Sequence, residues 1–408
     1  MENRRARLGE SAPRIQLVTG DRIAATAQVE LPPIPGHQAS LHPEFDLLLA
    51  ACGLTSHFKF EELVASPLDW ELLLRLADQH RVLPALHQRF SRSTNAPATI
   101  RCAVNARYEK HALKALRFSA ELLRVARHLG EYGIPVLAHK GPTLSQMLFE
   151  DAAQRQFVDL DFLVRASDVS RARLALAELG YEPRLRLSKR KEQEYLRSGY
   201  EYVFGLNKQR TLLELQWQVL PRFYAVDFDI EKLFERSVAL EFEGFTTRAL
   251  RKEDLTLVVC MHAAKHCWAQ LAMLRDLAAL SRRDLNWDWI LSEARRLGIM
   301  RIIQISFLLT HDLLGSPLPF MIIPRDVRRI AQTIRSQLAT GAEVNPESFA
   351  YYRFMMHVRE RRRDRARFAW RLATTPTLGE WDSVSIPDTA LFLYRGVRMF
   401  RLARRLIS

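Results

Sequence analysis

The stretch Ala138–Val164, AHKGPTLSQMLFEDAAQRQFVDLDFLV, decides how the chain reads. It opens on the end of a short apolar segment, IPVLAHKG (134–141), which predicts a strand running into a turn at Gly141. Pro142 then suits the first turn of a helix over PTLSQMLF. A second strand is predicted at QFVDLDFLV (156–164), and it carries two aspartates separated by one leucine. The strand period of two puts Asp159 and Asp161 on one face, with Val158, Leu160, Phe162 and Val164 on the other. Two carboxylates that close repel, and one tends to keep its proton unless a cation lies between them.

The neighbouring sequence supplies partners for that pair. YEYVFGL (200–206) and TLLELQWQV (211–219) read as strands of a hairpin joined by NKQR, and Glu214 falls on the face opposite Leu213, Leu215 and Trp217. From an adjacent strand it could approach the aspartates. Gly141, between strand and helix, lets backbone N–H groups approach an anion at the helix N-terminus, and Lys140 adds a point charge. Carboxylates beside a phosphate-binding turn suit phosphoryl or nucleotidyl transfer. In two-metal form, one ion activates the attacking oxygen and the other steadies the triphosphate and departing pyrophosphate. Mg²⁺ is commonly held by one or two carboxylates together with substrate phosphates.

Around this unit the pattern is helical. Residues 1–40 read as a disordered lead ending in LPPIPGHQ. Residues 41–133 form an N-terminal helical region, with Ser66 expected as an N-cap before Pro67 and a long helix from about Ile100 to Tyr132. Residues 134–250 form the α/β core, in which Ser167 is expected to cap DVSRARLALAEL before the stop at Gly180. Residues 251–408 are helical again. The fold class expected is α+β, a small mixed-sheet core between helical flanks.

Composition narrows the classes. The 408 residues are 48% hydrophobic and 26% charged, ordinary for a soluble protein. No apolar run reaches the length of a membrane span. No apolar stretch follows MENRRARLGESAPRIQ, so a secretory signal is not expected. Cys52, Cys102, Cys260 and Cys267 show no zinc spacing and read as reduced thiols, which points to the cytoplasm. The net charge of +14 favours phosphate-bearing ligands. Part of it concentrates in RERRRDRAR (359–367) and the C-terminal RMFRLARRLIS, read either as a solvated basic face or as a nucleic-acid surface.

The Lys-Gly turn, Asp-x-Asp strand and later carboxylate together resemble the nucleotidyltransferase superfamily of DNA polymerase beta type. More closely, LAHKGPTLSQMLF and RQFVDLDFLVRASDVSRARLALAELGY are similar to an uncharacterised bacterial nucleotidyltransferase family. HAAKHCWAQLAMLRDLAAL and LFLYRGVRMFRL share its look, so the resemblance spans roughly 42–405. It implies a nucleotidyltransferase core in which Asp159, Asp161 and Glu214 are catalytic and metal ligands, for Mg²⁺ or Mn²⁺. Lys140, Gly141 and Arg155 would contact nucleotide phosphates, although Arg155 could equally pair with Asp159. The family's Gly-Ser turn is Gly141-Pro142 here, and its Asp and His are Glu214 and Gln216.

His262, Lys265 and His266 share one helix face. Lys265 and His266 read as nucleotide-binding, with a packed or solvated face as the plain alternative; HxxxH without a third ligand is poor evidence for zinc. Asp276 could position that face or cap a turn. Trp217, Trp268 and Trp287 read as core.

The resulting expectation is a metal-dependent nucleotidyltransferase that moves a nucleoside monophosphate from an NTP, most simply ATP, to an acceptor hydroxyl. The acceptor is open among small molecule, protein and RNA. Two alternatives stand beside it: a nucleotide-sensing module without turnover, and a basic nucleic-acid-binding protein.

Overall fold

The computed structural model describes residues 42–407 apart from 56, 207–211, 243, 341–344 and 346–347. The expected disordered lead and the hairpin turn NKQR lie outside the described residues. Leu41–Ser408 form one compact unit. The fold is α+β, as its pattern of elements predicts.

Helices α1 (Pro43–Cys52), α2 (His57–Val64), α3 (Trp70–Gln79), α4 (Leu83–Phe90) and α5 (Ala98–Glu131) precede the sheet. Strand β1 (Leu137–Ala138) leads into α6 (Gly141–Phe149), β2 (Asp159–Leu163), α7 (Val169–Glu178), β3 (Tyr181–Pro183), α8 (Lys189–Ser198), β4 (Glu201–Leu206) and β5 (Leu212–Gln216). After α9 (Ile230–Glu235), β6 (Val238–Phe242) and β7 (Phe245–Ala249) form a separate antiparallel hairpin. The remainder is helical: α10 (Lys252–Lys265), α11 (Leu271–Ser281), α12 (Trp287–Leu297), α13 (Met300–Leu314), α14 (Arg325–Thr340), α15 (Phe349–His357), α16 (Arg362–Thr374), α17 (Leu378–Ser383) and α18 (Leu393–Ile407).

The main sheet is mixed, in the order β1-β2-β5-β4-β3. β2 runs parallel to β5, while β1–β2, β4–β5 and β3–β4 are antiparallel. One face is wholly apolar. Leu160, Phe162, Leu213 and Leu215 pack there with Leu122 and Val125 of α5, Leu176 of α7 and Tyr394 of α18. A second apolar cluster joins Leu47, Leu73 and Leu86 from before the sheet to Met261, Leu274 and Ile302 from after it. Helices far apart in sequence therefore share one core.

Several local expectations change. Asp69, not Ser66, caps α3, accepting from Leu72 N–H at 3.0 Å while its own N–H is held by Glu44 Oε1. The Ser66 hydroxyl instead turns back to Leu63 O at 2.6 Å. Ser167 lies in a 3₁₀ turn (Ala166–Asp168) and caps nothing, because that turn already feeds the helix start. Val158 is not in the core: β2 begins one residue later, leaving Val158 47% exposed. The β6–β7 hairpin was not anticipated, although its turn includes Gly244 at φ +73°. Trp217 and Trp268 are fully buried and Trp287 packs against the core.

A fully buried position and an exposed one on β5 test this packing. Leu215→Ala should lower the unfolding free energy by about 2–5 kcal/mol, as large cavity-forming truncations do. Leu212→Ala, at a site 38% exposed, should change it far less. Urea unfolding curves that moved equally for the two variants would contradict this arrangement.

Candidate active site

The polar face of the sheet is assembled by register. Asp161 stands directly opposite Glu214 in the parallel β2–β5 pair, and Glu201 of β4 stands opposite Gln216. Side chains at paired positions share a face, so Asp159, Asp161, Glu214, Gln216 and Glu201 all project from the same side.

Gly141 fits the upstream turn against this strand. It adopts φ +56°, and a Cβ there would lie 3.2 Å from the Asp159 carbonyl oxygen. A left-handed residue that close to β2 is a position for glycine. The tight turn delivers Lys140, whose Nζ donates to Asp161 Oδ1 at 2.6 Å. The Gln216 amide donates to the same oxygen and to Glu214 Oε2, both at 2.9 Å. Gln216 thus ties the two carboxyl groups together. Gln216 stands where the resembled family has a histidine, and this bridging role has no signal in the local sequence.

The charges sort accordingly. Burial would raise the pKa of Asp161, but the Lys140 ammonium outweighs it and holds the carboxyl below its usual value. Burial and the Asp161 charge push Asp159 upward, against the pull of Lys140, Arg155 and Arg81. Glu214 is pushed up to about 9 by burial and by Glu201 and Asp161. Burial works against the Lys140 charge, yet Asp161, Glu214 and Asp159 hold its pKa above the ordinary lysine value. Asp161 is the carboxylate that the fold keeps ionised, and Glu214 holds a proton at neutral pH.

The end of α10 supplies a second set of groups. Lys265 Nζ lies 5.7 Å from the Tyr200 ring centroid, and the rings of His262 and His266 stand 4.7 Å apart. Burial, with Lys140 nearby, lowers the Lys265 pKa against the opposing pull of Glu201, Glu214 and Asp161. Burial, with His266, Lys140 and Lys265 beside it, keeps His262 neutral. Two successive left-handed residues, Cys267 at φ +51° and Trp268 at φ +53°, end the helix. Each costs about 1–2 kcal/mol in a non-glycine residue. The buried Trp268 indole offsets this by donating to Ser306 Oγ at 2.9 Å and fixes where Lys265 and His266 emerge.

Arg155 pairs with Asp276 of α11, Nε to Oδ2 at 2.9 Å, and not with Asp159. The partners lie 121 residues apart, and both are largely buried. Asp276 therefore positions the arginine and does not cap a turn. The basic run 359–367 is also not a uniform solvated face. Arg359 is 1% exposed and donates to Tyr224 O at 2.6 Å, while Arg367 pairs with Asp227.

Among the described residues no three His, Cys, Asp or Glu side chains stand ready at metal-binding spacing. The donor chemistry nonetheless fits a hard divalent cation. The buried Asp161 Oδ2 has no fixed hydrogen-bond partner, and Asp159 and Glu214 are carboxyl groups with raised pKa values that added positive charge would lower, favouring their ionised form.

The chain belongs to the uncharacterised nucleotidyltransferase family, whose model matches residues 66–315, from just before α3 to the end of α13. The match supports nucleotidyl transfer and a nucleotide substrate. It stops short of LFLYRGVRMFRL, so the wider span expected from sequence is reduced. No curated protein and no solved structure matches the chain. No helix among the described residues is long and apolar enough to cross a membrane.

Glu214 makes stability depend on pH. Its folded pKa is raised, so unfolding releases a proton between about pH 4.5 and 9, and its contribution is lost as pH rises through that window. In EDTA, wild type should lose stability relative to Glu214→Gln from pH 5 to pH 9. A constant difference in urea midpoint across that range would show that Glu214 is not perturbed.

Proposed function

We propose that the protein is a metal-dependent nucleotidyltransferase of the polymerase beta type, transferring a nucleoside monophosphate from an NTP, most simply ATP, to an acceptor hydroxyl. The observation that carries this reading is the pairing of Asp161 with Glu214 across β2 and β5, beside Lys140 at the glycine turn. Family membership supports the same class of chemistry.

Each residue has a role in this reading. Asp159 and Asp161 are the metal ligands, with Glu214 as the third carboxylate; the bound Mg²⁺ or Mn²⁺ would withdraw charge from the phosphates and stabilise the leaving pyrophosphate. Lys140 neutralises Asp161 in the free protein and turns to the phosphates when NTP enters. The N-terminus of α6 and its Gly141 turn favour the same anion. Lys265 and His266 face the nucleotide from α10. Arg155, held rigid by Asp276, contributes its positive field. Glu214 keeps its proton until positive charge arrives, and then serves as base or ligand. Gln216 keeps Glu214 and Asp161 in register throughout.

One observation favours a second reading. Asp161 Oδ1 already accepts from both Lys140 and Gln216, so protein donors alone satisfy that oxygen. A module that binds NTP without turnover would keep that lock closed.

Pyrophosphate release from each NTP, with Mg²⁺ or Mn²⁺ and cell extract as acceptor source, separates the two. Wild type should turn over, and Asp161→Asn should lose at least about 100-fold, the scale of removing a main electrostatic group. NTP binding by wild type with no release under any condition would favour the module.

A further inference from the structure

Outside the residues assigned above lies a cleft of about 410 Å³ walled by the turn between α3 and α4, the first half of α5 and the segment entering β2. Its lining includes Val158, next in the chain to Asp159, and the Asp159 charge acts on both Arg81 and Lys114 of the cleft wall. Lys140, Gly141 and Asp161 do not line it, which separates it from the phosphate-binding turn.

The cleft is cationic. Arg81, Arg107, Lys110 and Lys114 line it against one carboxylate, Asp78, which lies 3.8 Å from Arg107. His111 adds no charge, since burial lowers its pKa. Lys114 is anchored through Phe157 O at 2.8 Å. The side chains of Arg81 and Lys110 have neither a hydrogen bond nor an ion pair at contact distance among the described residues. Arg81 is half-buried in a left-handed turn residue, φ +55°, and its charge feels both Arg155 and Asp159. Arg81 and Lys114 are half-buried like charges in one concavity, which is unfavourable unless an anion neutralises them, while Lys110 lines the exposed side.

We propose that this cleft is the acceptor subsite, and that it takes a small molecule bearing a phosphate group whose free hydroxyl is presented at Asp159. This rests on the nucleotidyl-transfer reading. The volume suits a small ligand and not a polymer track. Arg81 and Lys110 are the unengaged donors for the phosphate. In the transfer, the acceptor oxygen bonds to the α-phosphorus. The bond from that phosphorus to the oxygen bridging to the β-phosphate breaks, and pyrophosphate leaves with its electron pair. The hydroxyl proton goes to the ionised Glu214 carboxylate.

Calorimetric titration tests the site apart from catalysis, using ribose 5-phosphate, ribose and a 5′-phosphorylated decanucleotide RNA as probes. Wild type should bind ribose 5-phosphate and not ribose. Arg81→Gln should weaken that binding about tenfold or more, as should Lys110→Gln at an exposed position where folding is not at risk, with ATP affinity within twofold of wild type. Lys110→Arg should restore it. Where turnover is measured, the same variants should raise the KM for a phosphorylated acceptor and leave the KM for NTP unchanged. Unchanged probe binding in both variants, no binding by wild type, or binding of the RNA alone would overturn the proposal even with turnover intact. Absence of turnover with cleft binding intact would instead remove the transferase reading, and the acceptor role with it.

Discussion

Asp161 is a carboxylate 2% exposed on a central strand, and the surrounding structure is arranged to keep its charge there. An ionised group so far from water is unfavourable by several kcal/mol unless charge and hydrogen bonds compensate it. Lys140 and Gln216 supply both, and each arrives by a different structural device. Lys140 depends on the left-handed Gly141 packed against the β2 backbone. Gln216 depends on β5 lying parallel to β2 in one register. A slip of one residue along β5 would turn Glu214 and Gln216 into the apolar core and Leu213 and Leu215 onto the polar face.

The groups around this ion pair form a graded field. Glu214 and Asp159 are raised and Asp161 is lowered, so Glu214 and Asp161, directly opposite each other, differ in protonation at neutral pH although their chemistry is similar. Pairs of titratable groups pushed apart by their surroundings are a common mark of functional sites, although structural networks produce them too. Lys140, Lys265 and Arg155 bring positive charge toward the same carboxyl groups from three different segments. Such an enclosure attracts phosphate before any metal is bound.

The helical flanks hold these segments in place. The Arg155–Asp276 pair joins the approach to β2 to α11, and Tyr351 of α15 donates its hydroxyl to Lys265 O at 2.8 Å. Tyr351 also meets Tyr224, whose carbonyl is held by the buried Arg359. Part of the basic C-terminal run is thus a support for the end of α10. This explains why a charge run read from composition divides into buried struts and surface pairs.

The sequence by itself determined the local elements: the Asp-x-Asp strand, the Lys-Gly turn into α6, the long α5 and the β4 and β5 strands. These depend on periodicity and on turn chemistry within about ten residues. It also marked Lys140, Asp159, Asp161 and Glu214 as residues to watch, because charges on apolar strands are costly without a purpose. Local pattern was weaker at helix starts, where Asp69 prevailed over Ser66 through its own side-chain bond and its tie to Glu44. Only the tertiary structure decided that Asp161 faces Glu214, that Gln216 bridges them, that Arg155 belongs to Asp276 and that the α3–α4 turn and α5 wall a cationic cleft at Val158. Those outcomes follow from strand order, register and helix packing. They depend on burying apolar faces across more than a hundred residues, and no short window of sequence contains that information.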